Sequence, residues 1–327
     1  MKQNIIKHIQ HAHRCDHEEK QCVNVTYGAD EPFLYGTGIS IASILMHNTD
    51  IKFHFHIFTN TLSTKHFHLF EELATQHNTK ITFYILDDDV LRKLPTASKS
   101  WNHSIYFRLI ALDYFSDHLE SIIYLDSDII CKASLKPLLE QSFCDATLIA
   151  VHDKFIDTIS LKGIDTSRYF NSGFLYFNLH CIRTTCVTDN VISIVTKNDF
   201  THPDQDALNI IFNDCVKIVD HRFNSFFNID SLPKGKRNKF KITQDAIFIH
   251  YVGVTKPWHD WAQFYNEVNY FKEAKENSPW RDMPLQGPTT YKQLSRKSMH
   301  LKNNDRFISS SYYYMKYMVK KYLIKFF

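Results

Sequence analysis

Two aspartates separated by a single serine carry the strongest chemical signal in this sequence. Asp126 and Asp128 directly follow four apolar residues, 122–125 (IIYL), of the kind found in buried strands. Residues two apart share one face of a strand, and a turn at the strand end can bring both carboxylates onto one hard cation. A divalent ion held in this way keeps open positions for diphosphate oxygens. An acidic turn between two elements is the alternative that the DxD pattern alone leaves open.

A histidine at the end of another apolar run is a candidate third ligand. His250 follows residues 246–249 (AIFI) and precedes Gly253 and Lys256. An imidazole nitrogen beside two carboxylates suits Mn²⁺ or Mg²⁺, so His250 could complete the site. Gly253 would let the backbone approach a phosphate, and Lys256 would neutralise its charge. A hydrogen-bonded structural histidine is the alternative.

A turn of small and acidic residues follows the first apolar run. Gly28, Ala29 and Asp30 come directly after residues 23–27 (VNVTY), without the GxGxxG fingerprint of dinucleotide sites. Asp30 is suited to holding a base or a ribose hydroxyl, with Phe33 as a stacking face. A plain turn at the sheet edge also explains these residues.

Two further polar segments stand next to apolar runs. Asp204, Gln205 and Asp206 precede residues 207–212 (ALNIIF), which read as a helix with acids in its first turn. Helix capping explains acids at that position without any catalysis. Residues 169–173 (YFNSG) introduce another apolar run, and an Asn-Ser-Gly turn is their simple structural interpretation.

Apolar runs of strand length alternate with helix-length segments, and this alternation must position the polar groups. The amphipathic stretches 63–77 and 103–115 predict crossover helices between strands. We therefore predict an α/β fold with a mainly parallel sheet, whose ligands bind at the carboxyl ends of the strands. The strand-like runs are residues 23–27, 53–59, 81–86, 121–125, 146–151 and 246–251.

Composition is that of a folded enzyme-sized protein. The 327 residues are 44% hydrophobic and 22% charged, which excludes wholesale disorder, collagen and coiled coil. The sequence has no run of 18 apolar residues, and its N-terminus is too polar for a signal peptide. Seven cysteines without a CxxC pair disfavour a disulfide framework and a thiolate zinc site. We expect reduced thiols and a cytoplasmic protein.

The C-terminal segment is strongly basic. Residues 291–327 contain nine Lys or Arg and one acid, a net charge of +8, so the preceding residues carry −5. Residues 312–327 mix aromatic rings with lysines at spacings that a helix would separate into two faces. Such a helix predicts attachment to an anionic surface, either phospholipid headgroups or nucleic acid. A helix packed on its own domain is the alternative.

In their order along the chain, these motifs resemble glycosyltransferase family 8, most closely the bacterial lipopolysaccharide core glucosyl- and galactosyltransferases. The resemblance covers roughly residues 22–282 and implies a GT-A-type nucleotide-sugar domain there, followed by the basic, aromatic tail at 283–327. The matching stretches are residues 25–30 (VTYGAD), 106–109 (YFRL), 123–128 (IYLDSD), 169–173 (YFNSG), 203–209 (PDQDALN) and 250–258 (HYVGVTKPW).

The resemblance also implies a reaction and a location. It implies transfer of glucose or galactose from a UDP-sugar to a hexose of the lipopolysaccharide outer core, with retention of anomeric configuration and with Mg²⁺ or Mn²⁺ as cofactor. Combined with the basic, aromatic tail, it predicts a protein that is peripheral on the cytoplasmic face of the bacterial inner membrane, with anionic lipid as a partner and no nucleic acid.

The family motifs imply roles for individual residues. The implied metal ligands are Asp126, Asp128 and His250. The implied catalytic residues are Gln205, against the anomeric carbon, with Asp204 and Asp206. The implied donor contacts are Thr26, Tyr27, Gly28, Ala29, Asp30, Glu31, Arg108, Asp126, Ser127, Asn171, Gly253 and Lys256. Glu31 and Pro32 stand where many relatives have other polar residues. The sequence therefore departs from the family pattern among the residues expected to contact the ribose of the donor.

Two other functions fit parts of the sequence. A self-glucosylating or glycogen-priming transferase belongs to the same family and needs an acceptor tyrosine on its own chain. A nucleic-acid-binding protein would use the basic tail, with binding that weakens steeply with salt and does not need Asp126 or Asp128.

Overall fold

The computed structural model describes residues 5–13, 22–92, 103–153, 164–198, 200–234 and 241–323. The strands of these residues are β1 (Ile6–His13), β2 (Val23–Gly28), β3 (Phe53–Thr59), β4 (Lys80–Leu86), β5 (Ser121–Leu125), β6 (Ile129–Cys131), β7 (Leu148–His152), β8 (Phe170–Asn178), β9 (Val216–Val219), β10 (Ser225–Phe226) and β11 (Phe248–His250). The helices are α1 (Leu34–His47), α2 (Thr64–Gln76), α3 (Asp88–Leu91), α4 (Phe107–Phe115), α5 (Lys136–Leu139), α6 (Val187–Val195), α7 (Pro203–Phe212), α8 (Asn269–Glu276), α9 (Tyr291–Asn303) and α10 (Phe307–Leu323).

Eight strands form one large mixed sheet in the order β1-β4-β3-β2-β5-β8-β7-β9. The four central strands β4, β3, β2 and β5 are parallel neighbours, and β7 is parallel to β9. β8 lies antiparallel between β5 and β7, and β1 is antiparallel to β4 at one edge. The predicted α/β fold with a mainly parallel central sheet is confirmed.

Helices cover both faces of the large sheet. Tyr27 and Ile39 belong to the core beneath α1, α2 and α8, and Leu109 and Leu208 belong to the core beneath α4, α6 and α7. Both faces of the central strands are therefore buried, which explains why β4 and β5 are nearly continuous apolar runs and why even the polar side chains of β3 are buried.

A second, small sheet holds the end of the last predicted strand. Its order is β10-β11-β6, with β11 parallel to β10 and antiparallel to β6. The run predicted at 246–251 therefore becomes β11 outside the large sheet. Since β6 begins directly after the turn at 126–128, the small sheet brings His250 back to that turn.

The C-terminal segment folds into two helices that pack against each other. The Thr290 hydroxyl caps α9 and Gln293 completes a capping box. The described part of the chain contains no helix that combines the length and the apolar character of a membrane span. The last four residues of the predicted tail, 324–327, lie outside the described residues.

Candidate active site

The two aspartates of the DxD motif lie in the turn between β5 and β6, next to the strand that ends in His250. β11 pairs with β6 so that His250 lies opposite Ile129. His250 Nε2 is consequently 3.3 Å from Asp128 Oδ1 and 3.9 Å from Asp126 Oδ2. One ligand atom from each of the three side chains lies within 4.8 Å of the other two. The three side chains named as metal ligands from the sequence converge.

The Asp128 carboxylate is buried beside a lysine. Its side chain is 6% exposed, and Oδ2 accepts a hydrogen bond from Lys256 Nζ. Burial alone would raise the pKa of Asp128, but the Lys256 ammonium and the neighbouring His250 together outweigh burial and hold that pKa below its usual value. Asp128 therefore stays ionised. Its other oxygen, Oδ1, is also buried and accepts no hydrogen bond from the residues that the structure describes.

A chain of amide side chains fixes which nitrogen of His250 faces the aspartates. An ionised carboxylate only accepts, so the Asn171 amide nitrogen donates to Asp153 Oδ2 at 3.2 Å. Asn171 Oδ1 then accepts from Asn224 Nδ2 at 3.1 Å, and Asn224 Oδ1 accepts from His250 Nδ1 at 3.0 Å. In the neutral imidazole, Nε2 therefore directs its lone pair toward the two aspartates.

This donor set fits a divalent cation. In the neutral form of His250, the Nε2 lone pair faces the buried Oδ1 of Asp128 at 3.3 Å, and these two acceptors repel each other. A cation between them would turn this repulsion into attraction. Two carboxylates and an imidazole are ligands that Mn²⁺ and Mg²⁺ accept in proteins.

Gly173 leaves the space that His250 occupies. A Cβ atom at position 173 would lie 2.3 Å from His250 Cε1 and 2.8 Å from Asp126 Oδ2. Both distances are shorter than carbon atoms tolerate without displacement of a neighbour. The close packing of the histidine against β8 therefore requires glycine at this position.

Arg108 of α4 links the DxD turn to the start of α7. Its Nη2 donates to Asp126 Oδ1 at 3.0 Å, and its Nη1 donates to the Ser172 backbone oxygen at 2.7 Å. Nη1 also lies 3.5 Å from Asp204 Oδ2, and the guanidinium stacks over the Tyr124 ring. Burial opposes the charge, but Asp126 and the other neighbouring groups raise the pKa of Arg108 above its usual value. The guanidinium is therefore a fixed positive charge.

Gln205 is held at both ends of its side-chain amide. Its Oε1 accepts from the Ser172 backbone N–H at 2.9 Å and from Asn171 Nδ2 at 3.1 Å. Its Nε2 donates to the Tyr169 hydroxyl at 3.2 Å and to Asp153 Oδ2 at 3.3 Å. An amide with both ends bound keeps one orientation, which suits a group that positions a substrate atom.

The two acids beside Gln205 lie in different surroundings. Asp204 lines the same cleft as Gln205. Asp206 is fully buried outside it, and its carboxylate accepts from the Tyr169 hydroxyl at 2.5 Å and from the His202 backbone N–H at 3.0 Å. Burial raises the pKa of Asp206. Asp206 therefore closes the first turn of α7 and braces Tyr169.

The loop after β11 brings backbone and a cation to the DxD turn. Gly253 has a φ of 95°, a conformation that residues with a Cβ rarely adopt. Gly253 and Lys256 both line the cleft, and the Lys256 backbone N–H donates to His259 Nδ1 at 3.0 Å. The loop thus presents a glycine backbone and an ammonium group on one side of the aspartates.

These groups surround a cleft of about 650 Å³, a size typical of small-molecule sites. Phe33, considered above as a stacking face, also lines it. The candidate site residues that line the cleft are Gly28, Ala29, Asp30, Arg108, Asp126, Ser127, Asp128, Asn171, Asp204, Gln205, His250, Gly253 and Lys256.

Three candidate donor contacts lie outside this lining. Thr26 and Tyr27 are buried within β2, and the Tyr27 hydroxyl is hydrogen-bonded to Ser40. Glu31 Oε2 accepts from the Ser63 backbone N–H at 3.2 Å, which ties the turn after β2 to the start of α2. These side chains shape the strand end and the turn that carry Gly28, Ala29 and Asp30.

Several residues of the site were not predicted from the sequence. Asn224 orients His250 but follows no apolar run, so no local pattern indicated it. Asp153 binds both Asn171 and Gln205, and its position directly after β7 was a signal, because ligands bind beyond the ends of such strands. The other unassigned residues of the lining are Ser104, Ile105, Ser172, His202, Val252 and Val254.

Comparisons with known proteins agree with the resemblance seen in the motifs. The model of Glycosyl transferase family 8 matches residues 24–262, and that of Glycosyl transferase family 8 C-terminal matches residues 265–321. The chain is 37% identical to the lipopolysaccharide glucosyltransferase WaaO of Escherichia coli, covering 93% of this chain and 92% of the relative. It is 35% identical to a lipopolysaccharide 1,3-galactosyltransferase of Salmonella typhimurium, covering 94% of each chain.

A solved structure supports the fold. The galactosyltransferase LgtC, crystallised with donor and acceptor sugar analogues, superposes with a TM-score of 0.66 at 22% sequence identity, covering 78% of this chain and 96% of LgtC. The expected GT-A-type fold is confirmed by this likeness.

Proposed function

Because this chain belongs to glycosyltransferase family 8, we propose that it transfers glucose or galactose from a UDP-sugar to a hexose of a lipopolysaccharide core. The two lipopolysaccharide hexosyltransferases that are 37% and 35% identical to it support this substrate class. The observation that carries the proposal is the convergence of Asp126, Asp128 and His250 at one cleft.

The charged groups of the cleft are suited to the diphosphate of the donor. Asp126, Asp128 and His250 would hold Mg²⁺ or Mn²⁺, which when bound supplies a Lewis acid for the charge that UDP gains on departure. Lys256 adds a positive charge beside Asp128, and Gly253 lets backbone N–H groups approach the phosphates. Groups that stabilise charge more strongly in the transition state than in the bound donor accelerate the reaction.

The remaining lining residues divide between nucleoside and sugar. We assign Gly28, Ala29, Asp30 and Ser127 to the nucleoside and diphosphate, with Phe33 as a stacking face. Thr26, Tyr27 and Glu31 support this part by fixing the strand end. We assign Arg108, Asn171 and Asp204 to the donor sugar, since Arg108 bridges Asp126 and Asp204.

Gln205 and Asp204 bear on how configuration is retained. Gln205 is held with both amide ends bound, and an amide is a poor nucleophile, which favours same-face attack with the leaving phosphate taking the acceptor proton. Asp204 is a carboxylate at the same cleft and keeps double displacement possible, although Arg108 lies 3.5 Å from it. Asp206 serves either route indirectly, because it holds Tyr169, which binds Gln205.

The tail at 283–327 is proposed to attach the enzyme to the cytoplasmic face of the inner membrane. Helix α10 exposes large apolar side chains beside lysines, and a peripheral helix with these properties lies in the interface between headgroups and acyl chains. Ile308 is 90% exposed, Met315 is 61% exposed and Val319 is 60% exposed. Such attachment would hold the enzyme at a lipid-linked acceptor.

A transfer assay on defined truncated lipopolysaccharide cores tests the proposed reaction. UDP-glucose and UDP-galactose are supplied in parallel, with and without EDTA, and the new linkage is read by NMR. We expect one donor to be used, an α-linked product and loss of activity with EDTA that Mn²⁺ or Mg²⁺ restores. Transfer to a tyrosine of the chain itself, detected by mass spectrometry in the absence of core, would favour the self-glucosylating alternative. No transfer to any core would contradict the proposal.

A truncation tests the membrane role separately. The chain is ended after Ser309, which removes most of α10 and keeps every residue of α9, including Arg296 and His300. We expect sedimentation with anionic liposomes to be lost while transfer to a water-soluble core oligosaccharide is retained. Unchanged sedimentation would remove the membrane role, and nuclease-sensitive, salt-dependent binding to DNA would favour the nucleic-acid alternative.

A further inference from the structure

Asp230 connects the C-terminal helix α9 to the loop that carries Gly253 and Lys256. Its carboxylate is mostly buried, with a side chain 8% exposed. Oδ1 accepts from the Thr255 hydroxyl at 2.6 Å, and Oδ2 accepts from the Thr255 backbone N–H at 3.3 Å. From the other side, Arg296 Nη1 donates to Oδ2 at 2.5 Å and His300 Nε2 donates to Oδ1 at 3.1 Å. One carboxylate thus joins the loop to α9.

On the loop, the connection is made by Thr255, which lies between Gly253 and Lys256. Thr255 is 1% exposed, and its hydroxyl donates to Asp230 while it accepts from Trp261 Nε1 at 3.1 Å. Asn228, two residues before Asp230, lies against Gly253, with its amide 3.2 Å from the position that a Cβ there would take. Since Gly253 contacts Asn228 and Thr255 contacts Asp230, the segment 228–230 determines where the next residue, Lys256, is placed.

The helix side is fixed by buried groups as well. His300 is fully buried, and its Nδ1 lies 2.7 Å from the Tyr265 hydroxyl while Nε2 donates to Asp230. Burial alone would raise the pKa of Asp230, but the hydrogen bonds from His300 and Thr255 and the Arg296 charge together outweigh burial and hold that pKa below its usual value. Asp230 is therefore an anion whose charge is balanced by α9. Loss of the Arg296 charge would leave a mostly buried carboxylate without the cation that pairs with it in the described part of the chain, which is unfavourable.

We infer that Asp230, with Arg296 and His300 of α9, is a positioning set that holds the Gly253–Lys256 loop in its donor-binding conformation. The inference rests on the proposed role of Lys256 in UDP binding. It assigns α9 to the active site rather than to the membrane-binding part of the tail. A small displacement of a loop that binds a phosphate is costly, because a shift of about 1 Å can reduce rate by about a hundredfold.

The test measures donor and acceptor kinetics in the full-length enzyme, together with direct binding of UDP in the presence of Mn²⁺. Thr255→Val removes the hydroxyl at nearly constant volume, and Thr255→Ser restores it. Arg296→Gln removes the charge from the other side, and Arg296→Lys restores part of it. Lys302→Ala is the matched control, because Lys302 is an exposed cation of the same helix.

We expect Thr255→Val and Arg296→Gln each to raise the donor KM and the Kd of UDP about tenfold, with the acceptor KM within twofold of the wild-type value. The Ser and Lys variants should recover most of the donor affinity. A lowered Tm in both loss variants with donor KM and UDP Kd unchanged would overturn the inference, since the set would then be only structural. Lys256→Ala is measured alongside: if it leaves the Kd of UDP unchanged, the proposed role of the loop fails, and this inference fails with it.

Discussion

The cleft and helix α10 are both rich in charged and aromatic side chains, but their charges have opposite surroundings. In the cleft, Asp128 and His250 have side chains 6% and 5% exposed, and Asp128 is paired with a lysine. On α10, the Lys316 and Lys320 side chains are exposed among exposed rings such as Tyr312.

This difference determines how each region responds to substitution. A buried charge that loses its partner remains desolvated, so a single change in the cleft affects every group in contact with it. Exposed charges are screened by water and salt and contribute about 1 kcal/mol each to binding an anionic surface. We therefore expect single substitutions to be severe in the cleft and cumulative on α10.

The largest effect is expected for Asp128→Asn. The amide keeps the shape of the carboxylate but removes the negative charge that faces Lys256 and the proposed cation. We expect kcat/KM to fall about a thousandfold, with metal-dependent UDP binding lost and the circular dichroism spectrum retained. Asp282→Asn is the control, because Asp282 is 94% exposed. Wild-type activity of the Asp128 variant in the presence of EDTA would be fatal to the proposed site.

Gly173→Ala tests whether the cleft is sensitive to one methyl group that carries no charge. The new Cβ would lie 2.3 Å from His250 Cε1, so the imidazole must move. We expect kcat/KM to fall about a hundredfold and the affinity for Mn²⁺ to decrease. Gly287→Ala is the matched control, since a Cβ there meets only Asp260 Oδ2 at 3.9 Å. Equal activity of the two variants would show that the position of His250 does not matter.

Lys316→Gln combined with Lys320→Gln tests the additive behaviour of α10. Loss of two exposed charges should weaken binding to liposomes containing anionic lipid by about thirtyfold, from about 1 kcal/mol for each lysine. Transfer to a soluble acceptor should not change. The control pair, Lys65→Gln with Lys197→Gln, removes the same charge from exposed positions elsewhere. Equal liposome binding by both double variants would place the membrane contact away from α10.

Sequence patterns predicted the parts of the site that depend on local order. The DxD turn and His250 each directly follow an apolar run, and polar groups at strand ends are the first candidates for a site. The carboxyl end of β5 carries the DxD turn, whereas β11 brings His250 to that turn from the small sheet. The sequence could not tell which of Asp204 and Asp206 lines the cleft, because both occupy the first turn of one helix. Residues two apart on a helix point about 200° apart, and only the packing of α7 decides which one reaches the cleft.

Long-range contacts explain what the sequence left open. Asn224 acts on His250 across 26 residues, and Arg296 acts on Asp230 across 66 residues, so neither pair leaves a local pattern. The tail shows the same limitation. It is basic throughout, yet α9 buries Leu294, Lys297 and His300 while α10 exposes most of its rings. In the described part of the chain, the pairs with acids of the body are made by Arg296 and Lys297 of α9.

Two buried, uncharged histidines of the large sheet give the smallest expected effect, which is on the pH dependence of stability. His54 and His56 lie on β3, whose seven residues are all buried, with their rings 3.8 Å apart. Burial, and then Lys80 and His11, lower the pKa of His54 to about 3, and burial followed by the neighbouring His54 lowers the pKa of His56 well below its usual value.

Below about pH 6.5 the unfolded chain binds protons at these histidines and the folded protein does not, so stability is full above that pH and falls as the pH falls. Each histidine contributes a slope of about 1.4 kcal/mol per pH unit to the free energy of unfolding. Urea unfolding between pH 6.5 and 5, above the range in which carboxylates titrate, should show this slope. His54→Gln removes one of these histidines, so it should lower the slope of the free energy of unfolding against pH by about 1.4 kcal/mol per pH unit. His68→Gln, at a side chain 65% exposed, should leave the slope unchanged. Equal slopes for both variants would mean that His54 is protonated inside the sheet, and that burial in this protein does not keep an ionisable group neutral.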